Sequence, residues 1–172
     1  MSLENKKILM VVAPEGFKDA ECFIPKAALE KAGATVQVAS LRTGKATSDQ
    51  GQGLSIDFAA DEVKPHNFDA IVFVGGPGMV GKVGEPSFVD LARDFFEAGK
   101  LTTAICIAPV ILANAGILAG KQATVHESAQ SDIEAEGAEY TGKPVAQVDN
   151  IITANGPAAA GDFAKAILKA LE

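Results

Sequence analysis

Leu101-Thr102-Thr103-Ala104-Ile105-Cys106-Ile107-Ala108-Pro109 passes from a short apolar run straight into the start of a helical pattern. Leu101 to Ile105 reads as a buried strand, and Ala108 to Ala115 as a helix stopped by Gly116. Small residues, Ala104 and Ala108, stand two positions either side of Cys106. That is the spacing of the GxSxG nucleophile elbow with Ala in place of Gly, where small flanks let a tight turn approach neighbouring strands. The following helix aims free N–H groups at the sulfur, which predicts a thiol pKa lowered from ~8.5 into the range ~3.5–7.5. The Ile107 N–H, with that of Gly75, is expected to form an oxyanion pocket. Free cysteines are also among the most buried residues, so spacing alone leaves a core role open.

The same strand-then-helix rhythm extends in both directions. Lys7 to Ala13 is apolar on both faces, as strands of parallel sheets are. A helix follows to about Ala32, closed by Gly33, with Pro25 expected in its first turn. Thr35 to Ser40 is a strand, and the polar excursion 41–69 suggests a small hairpin. Ala70 to Val74 is a further buried strand. It leads through a Gly/Pro loop to a helix capped by Ser87, with Phe88, Leu91, Ala92 and Phe95 on one face. Gln122 to Val125, Val145 to Val148 and Ile151 to Thr153 are strand candidates. The last helix shows Phe163, Ala166, Ile167, Ala170 and Leu171 on one side. The alternation predicts an α/β fold, a mainly parallel sheet covered on both sides. Chemistry is then expected at the carboxyl ends of the strands.

At 172 residues, 48% hydrophobic and 22% charged, the chain is expected to make one domain, residues 1–172. A net charge of −7 argues against nucleic acid and anionic membrane as partners. No segment reaches the ~20 apolar residues that span a bilayer, and no secretory leader is read at the N-terminus. The two cysteines, Cys22 and Cys106, form no CxxC, which points to a reducing, cytoplasmic setting.

Gly76-Pro-Gly-Met-Val-Gly81 matches GxGxxG, but Gly84-Glu85-Pro86 intervene before the next helix, and Val83 stands where a P-loop needs Ser or Thr. Gly78, Gly81 and Gly84 are read as a flexible loop needing positive φ. Gly75 and Gly76, at a strand's end, are placed to turn bare N–H groups toward a ligand. His126 is expected at the same sheet edge as Cys106, whereas His66 is read as solvated and Cys22 as filler. Glu15, Asp19 and Glu21 share the loop after the first strand.

These pieces together resemble the DJ-1/PfpI (ThiJ) superfamily over nearly the whole chain. The likeness rests on Lys7 to Ala13, Glu21-x-x-x-Pro25, Val74-Gly75-Gly76, Thr103 to Pro109, Val125-His126 and Asp149 to Pro157. The resemblance implies a flavodoxin-like three-layer sandwich, a homodimer and no cofactor or metal. It makes Cys106 the reactive cysteine, Glu21 its acid, His126 the nearby histidine and Gly75 the oxyanion glycine, with Gly76, Ile107 and Asn155 beside the substrate. Ile107 stands where the PfpI peptidases carry His, so the chain is closer to the DJ-1/YajL-like branch. The activity this implies is a glyoxalase or deglycase acting on small α-oxoaldehydes such as methylglyoxal or their protein adducts. Alternatives are a redox sensor or chaperone of the oxidative-stress response that oxidises Cys106, and an intracellular cysteine peptidase.

Overall fold

Lys7–Val11 forms β1, and its side chains divide between two sides. Ile8 and Met10 join one apolar cluster, Leu9 and Val11 the other. A strand buried on both sides has to be covered twice, which puts it inside a sheet with helices above and below. The computed structural model describes residues 2–172. After β1 come β2 (Glu15–Phe17), α1 (Asp19–Lys31), β3 (Thr35–Ser40), β4 (Gly44–Ser48), β5 (Gly53–Ile56), β6 (Phe58–Ala59) and β7 (Ala70–Phe73). The second half holds α2 (Pro86–Glu97), β8 (Leu101–Ile105), α3 (Pro109–Asn114), β9 (Gln122–Ala123), α4 (Gln130–Ala135), β10 (Glu139–Tyr140), β11 (Val145–Val148), β12 (Ile151–Ala154) and α5 (Ala160–Leu171).

Seven strands make the central sheet, in the order β11-β12-β8-β7-β1-β3-β6, and only β11 runs antiparallel to its neighbour. Val72 stands opposite Met10 on one side and Thr103 on the other, so the middle strands end nearly level. Helices α1 and α5 pack together over one face, and α2, α3 and α4 cover the other. This is the expected flavodoxin-like sandwich. Strand order reverses between β1 and β7, and the loops leaving β1, β7 and β8 meet at that crevice. The expected hairpin is β4–β5, joined by β2 into a small second sheet.

Four local expectations are corrected. Pro25 sits in the middle of α1, not its first turn; the N–H it lacks is the one that would bond the Glu21 carbonyl. Pro86, not Ser87, begins α2, following Glu85 as the cap position. Only Gln122 and Ala123 of the proposed 122–125 strand pair, and they pair with β10 in a separate two-stranded sheet. On α5 the buried set is Ala160, Phe163, Ala164, Ile167 and Leu171, with Ala166 half-buried against the same cluster, so Ala164 joins the inner face and exposed Ala170 leaves it.

Candidate active site

Cys106 follows β8 directly and has φ 66°, a left-handed backbone that residues other than glycine rarely adopt. The sharp turn is held on both sides. The Cys106 N–H donates to the Ala154 carbonyl at 2.8 Å, and the Cys106 carbonyl accepts from the His126 N–H at 2.8 Å. His126 thus reaches the cysteine although its strand lies outside the central sheet. Its Nδ1 accepts from the Ser128 N–H at 3.2 Å and lies 2.8 Å from Ser128 Oγ. In the neutral ring the hydrogen is therefore on Nε2.

Glu21, in the first turn of α1, is fully buried. Neither of its carboxyl oxygens has a hydrogen bond of good geometry, although the Cys106 thiol and the Gly75 N–H lie beside it. Burial pushes its pKa up to about 7, against the pull of that thiol, that N–H and the Lys18 ammonium. The Cys106 thiol is pushed up to about 12, first by burial and then by the charge of Glu21, while the N–H groups of Ile107 and Gly76 pull it down. This corrects the expectation of a low-pKa thiolate. Helix α3 starts only at Pro109 and spans six residues, too little to outweigh burial beside a carboxylate. The two groups titrate as a coupled pair in which the carboxyl ionises before the thiol.

Glycines bring the pair together. A Cβ at Gly75 would lie 2.7 Å from the Ile105 carbonyl oxygen and 2.8 Å from both Cys106 Cβ and Glu21 Oε1. At Gly76, with φ 114°, it would overlap the Lys18 backbone nitrogen. The Gly75 N–H serves Glu21, so the N–H groups nearest the sulfur are those of Gly76 and Ile107, not Gly75 and Ile107. The positive φ expected of Gly78, Gly81 and Gly84 is absent. Gly78 is required for another reason: a Cβ there would overlap the Glu15 carbonyl. The GxGxxG segment forms a 3-10 helix, Pro77–Lys82, separated from α2.

The cleft over Cys106 measures about 250 Å³ and is lined by Lys18, Glu21, Gly76, Cys106, Ile107 and His126. Exposed Val80 stands at its rim. Lys18, absent from the sequence reading, pairs with Asp49 at 3.0 Å across the β4–β5 turn. Asp49 also accepts from the Asp19 N–H at 2.9 Å, capping α1 from a distant segment. These two contacts, the Asp19 N–H first, hold the Asp49 carboxyl below its usual range. Asn155 lines a neighbouring cavity rather than the cysteine cleft. Glu15 and Asp19 do not line the cleft either; Asp19 accepts from Ser48 Oγ at 3.0 Å. His66 is exposed, and Cys22 is buried with its thiol against Met10 Sδ at 3.5 Å. Among the described residues no three His, Cys, Asp or Glu side chains converge as metal ligands.

Fold and cleft define a class: parallel-sheet proteins that present a cysteine and a buried acid where the strands end. Within it, this chain belongs to the DJ-1/PfpI family, whose sequence pattern matches residues 6–170. It is 36% identical to the uncharacterized protein MJ0967 of Methanocaldococcus jannaschii, over 99% of this chain and 85% of that one. It is 34% identical to the deglycase TK1284 of Thermococcus kodakarensis, over 87% and 90%. The glutathione-independent glyoxalase DJR-1.2 of Caenorhabditis elegans is 30% identical, over 98% and 90%. The crystal structure of a ThiJ/PfpI domain protein from Brachyspira murdochii superposes with a TM-score of 0.95 at 34% identity, covering 98% and 97%.

Proposed function

We propose that this chain acts as a single-domain, cofactor-independent glyoxalase and deglycase on small α-oxoaldehydes of the methylglyoxal type and their adducts. The names of its deglycase and glyoxalase relatives support the reaction class. The observation that carries the reading is the buried Glu21 carboxyl facing the Cys106 thiol over Gly75. Near neutral pH the pair is a thiol beside a group that titrates at about 7. As Cys106 Sγ bonds to the aldehyde carbon, its proton passes to the Glu21 carboxylate. The new oxyanion meets the Gly76 and Ile107 N–H groups, and His126 Nε2–H steadies the neighbouring oxygen.

The hemithioacetal then isomerises. Glu21 passes the thiol proton to that oxyanion, removes the proton from the former aldehyde carbon and returns it to the adjacent carbonyl carbon, while the hydroxyl proton moves to the second oxygen. The first carbon is oxidised and the second reduced within one molecule. Water cleaves the resulting thioester, freeing lactate and the thiol, so no external oxidant is required. The redox-sensing alternative draws on a thiolate, and burial beside Glu21 pushes the Cys106 thiol up and disfavours that form. The peptidase alternative lacks a base at Ile107.

The same reading extends to a homodimer in a reducing cytoplasm: both cysteines are unpaired, and Ile24 leaves an apolar side chain uncovered on α1. Size-exclusion chromatography with light scattering checks the dimer. The decisive assay is lactate formation from methylglyoxal by wild type, Cys106→Ser and Glu21→Gln. Wild type is expected to turn over and both variants to lose at least ~100-fold. Wild-type rates from Cys106→Ser would overturn the mechanism.

A further inference from the structure

The 3-10 helix Pro77–Lys82 borders more than the cysteine cleft. Pro77 and Val80 line the cleft, whereas Gly78 and Lys82 line a separate cavity of about 420 Å³. A smaller one of about 70 Å³ adjoins it, since Pro14, Glu15 and Arg42 line both. The pair opens beyond the carboxyl ends of β1 and β3, which lead into Pro14 and Leu41. That is the edge of a parallel sheet at which ligands bind.

Three cations converge there: Arg42 on both cavities, Lys45 on the smaller and Lys82 on the larger. Arg42 lies in the short β3–β4 turn. Lys45 and Thr47 alternate along β4 with buried Ala46 and Ser48, which turns both outward on one face. The helix that carries Lys82 is fixed at both ends. Gly78 packs so closely on the Glu15 carbonyl that a Cβ would overlap it, and Asn114 Nδ2 donates to the Val83 carbonyl at 2.9 Å. Arg42, Lys45 and Lys82 belong to none of the ion pairs among the described residues. Glu15 is the single carboxylate lining either cavity, so three cations face one anion in a chain whose net charge is −7. A bound dianion relieves their mutual repulsion.

We infer that the adjoining cavities form an anion site for a phosphate group, held by the Arg42 guanidinium and the Lys45 and Lys82 ammonium groups, with the Thr47 hydroxyl as a neutral donor. The larger cavity exceeds a bare phosphate, which favours a small phosphate monoester over the free ion. The site is separate from Cys106 and stands whether or not the chain is a glyoxalase.

Calorimetric titration at constant ionic strength tests it without turnover, using probes that carry no aldehyde to react at Cys106. Glycerol 3-phosphate is expected to bind wild type at least about tenfold more tightly than glycerol, and more tightly than inorganic phosphate. Arg42→Gln and Lys82→Gln each weaken that binding about tenfold. Lys165→Gln, which removes the same charge from α5, and Lys18→Gln, which removes the cation of the cysteine cleft, leave it unchanged. Inorganic phosphate that binds as tightly as the ester assigns the site to the free ion and upholds it as a phosphate site. Glycerol that matches glycerol 3-phosphate overturns the proposal. So does Lys165→Gln weakening the binding as much as Arg42→Gln, because the field of the whole chain then accounts for it. Loss of binding in Lys18→Gln moves the ligand to the cleft and overturns the proposal as well.

Discussion

At the scale of single residues, the Glu21–Cys106 pair has a measurable signature. Burial raises the thiol pKa first, and the charge of the neighbouring Glu21 carboxylate raises it further. Glu21→Gln removes that charge, so the Cys106 titration followed by absorbance at 240 nm is expected to move to lower pH than in wild type. Activity moves the other way and is lost, because the proton acceptor has gone. A variant thiol that titrates at or above the wild-type midpoint contradicts the pairing. In wild type, kcat/KM is expected to rise with pH through about 7 as Glu21 ionises. Cys106 was legible as a candidate because Ala-x-Cys-x-Ala stands at a strand end, though a core role stayed open, and Glu21 was legible as its acid only through the family resemblance. The direction of the thiol shift was not legible. Spacing shows a helix start, but not how much water the fold removes from the sulfur.

At the scale of elements, α1 has no side-chain cap of its own at Lys18; the cap arrives from the β4–β5 turn as Asp49. Asp49→Ala removes a partner from the Asp19 N–H and from Lys18 together. It is expected to cost about 1 kcal/mol of stability in urea unfolding. Hydrogen exchange should quicken in the first turn of α1, where Glu21 lies, more than in α5. Unchanged exchange in that turn would show that the cap is idle. This contact was invisible in sequence because Asp49 and Asp19 are 30 positions apart and only the return of the hairpin joins them. Lys18 was missed for the same reason. The main strands were legible, since Lys7 to Ala13 and Ala70 to Val74 are apolar on both faces, a pattern only a doubly covered sheet satisfies. The segment Gln122 to Val125 alternates polar and apolar residues, and its hydrogen bonds go partly to side chains: the Thr124 N–H donates to Thr153 Oγ1 at 3.0 Å. A run of residue types cannot report that substitution.

At the scale of the whole molecule, burial of Glu21 ties stability to pH. Its folded pKa of about 7 lies above its ordinary 4.5, so the folded chain holds the proton more tightly than the unfolded chain. The resulting stabilisation is complete below pH 4.5 and is lost as pH rises through 7. It amounts to about 3 kcal/mol. Cys22 and Cys106, both pushed up to about 12, add a second loss in the alkaline range above about pH 9. Urea midpoints measured at pH 5 and 8 are expected to fall with pH for wild type and to stay level for Glu21→Gln; a level wild-type series contradicts the burial argument. The left-handed turn at Cys106 has a different consequence for the molecule as a whole. Any L-residue with a side chain is held there against its own backbone preference, by about 1–2 kcal/mol, and glycine alone escapes the penalty. Chains released from the need for a thiol therefore relax most easily by losing the side chain altogether, and a side chain kept at this bend marks a fold still held to its chemistry.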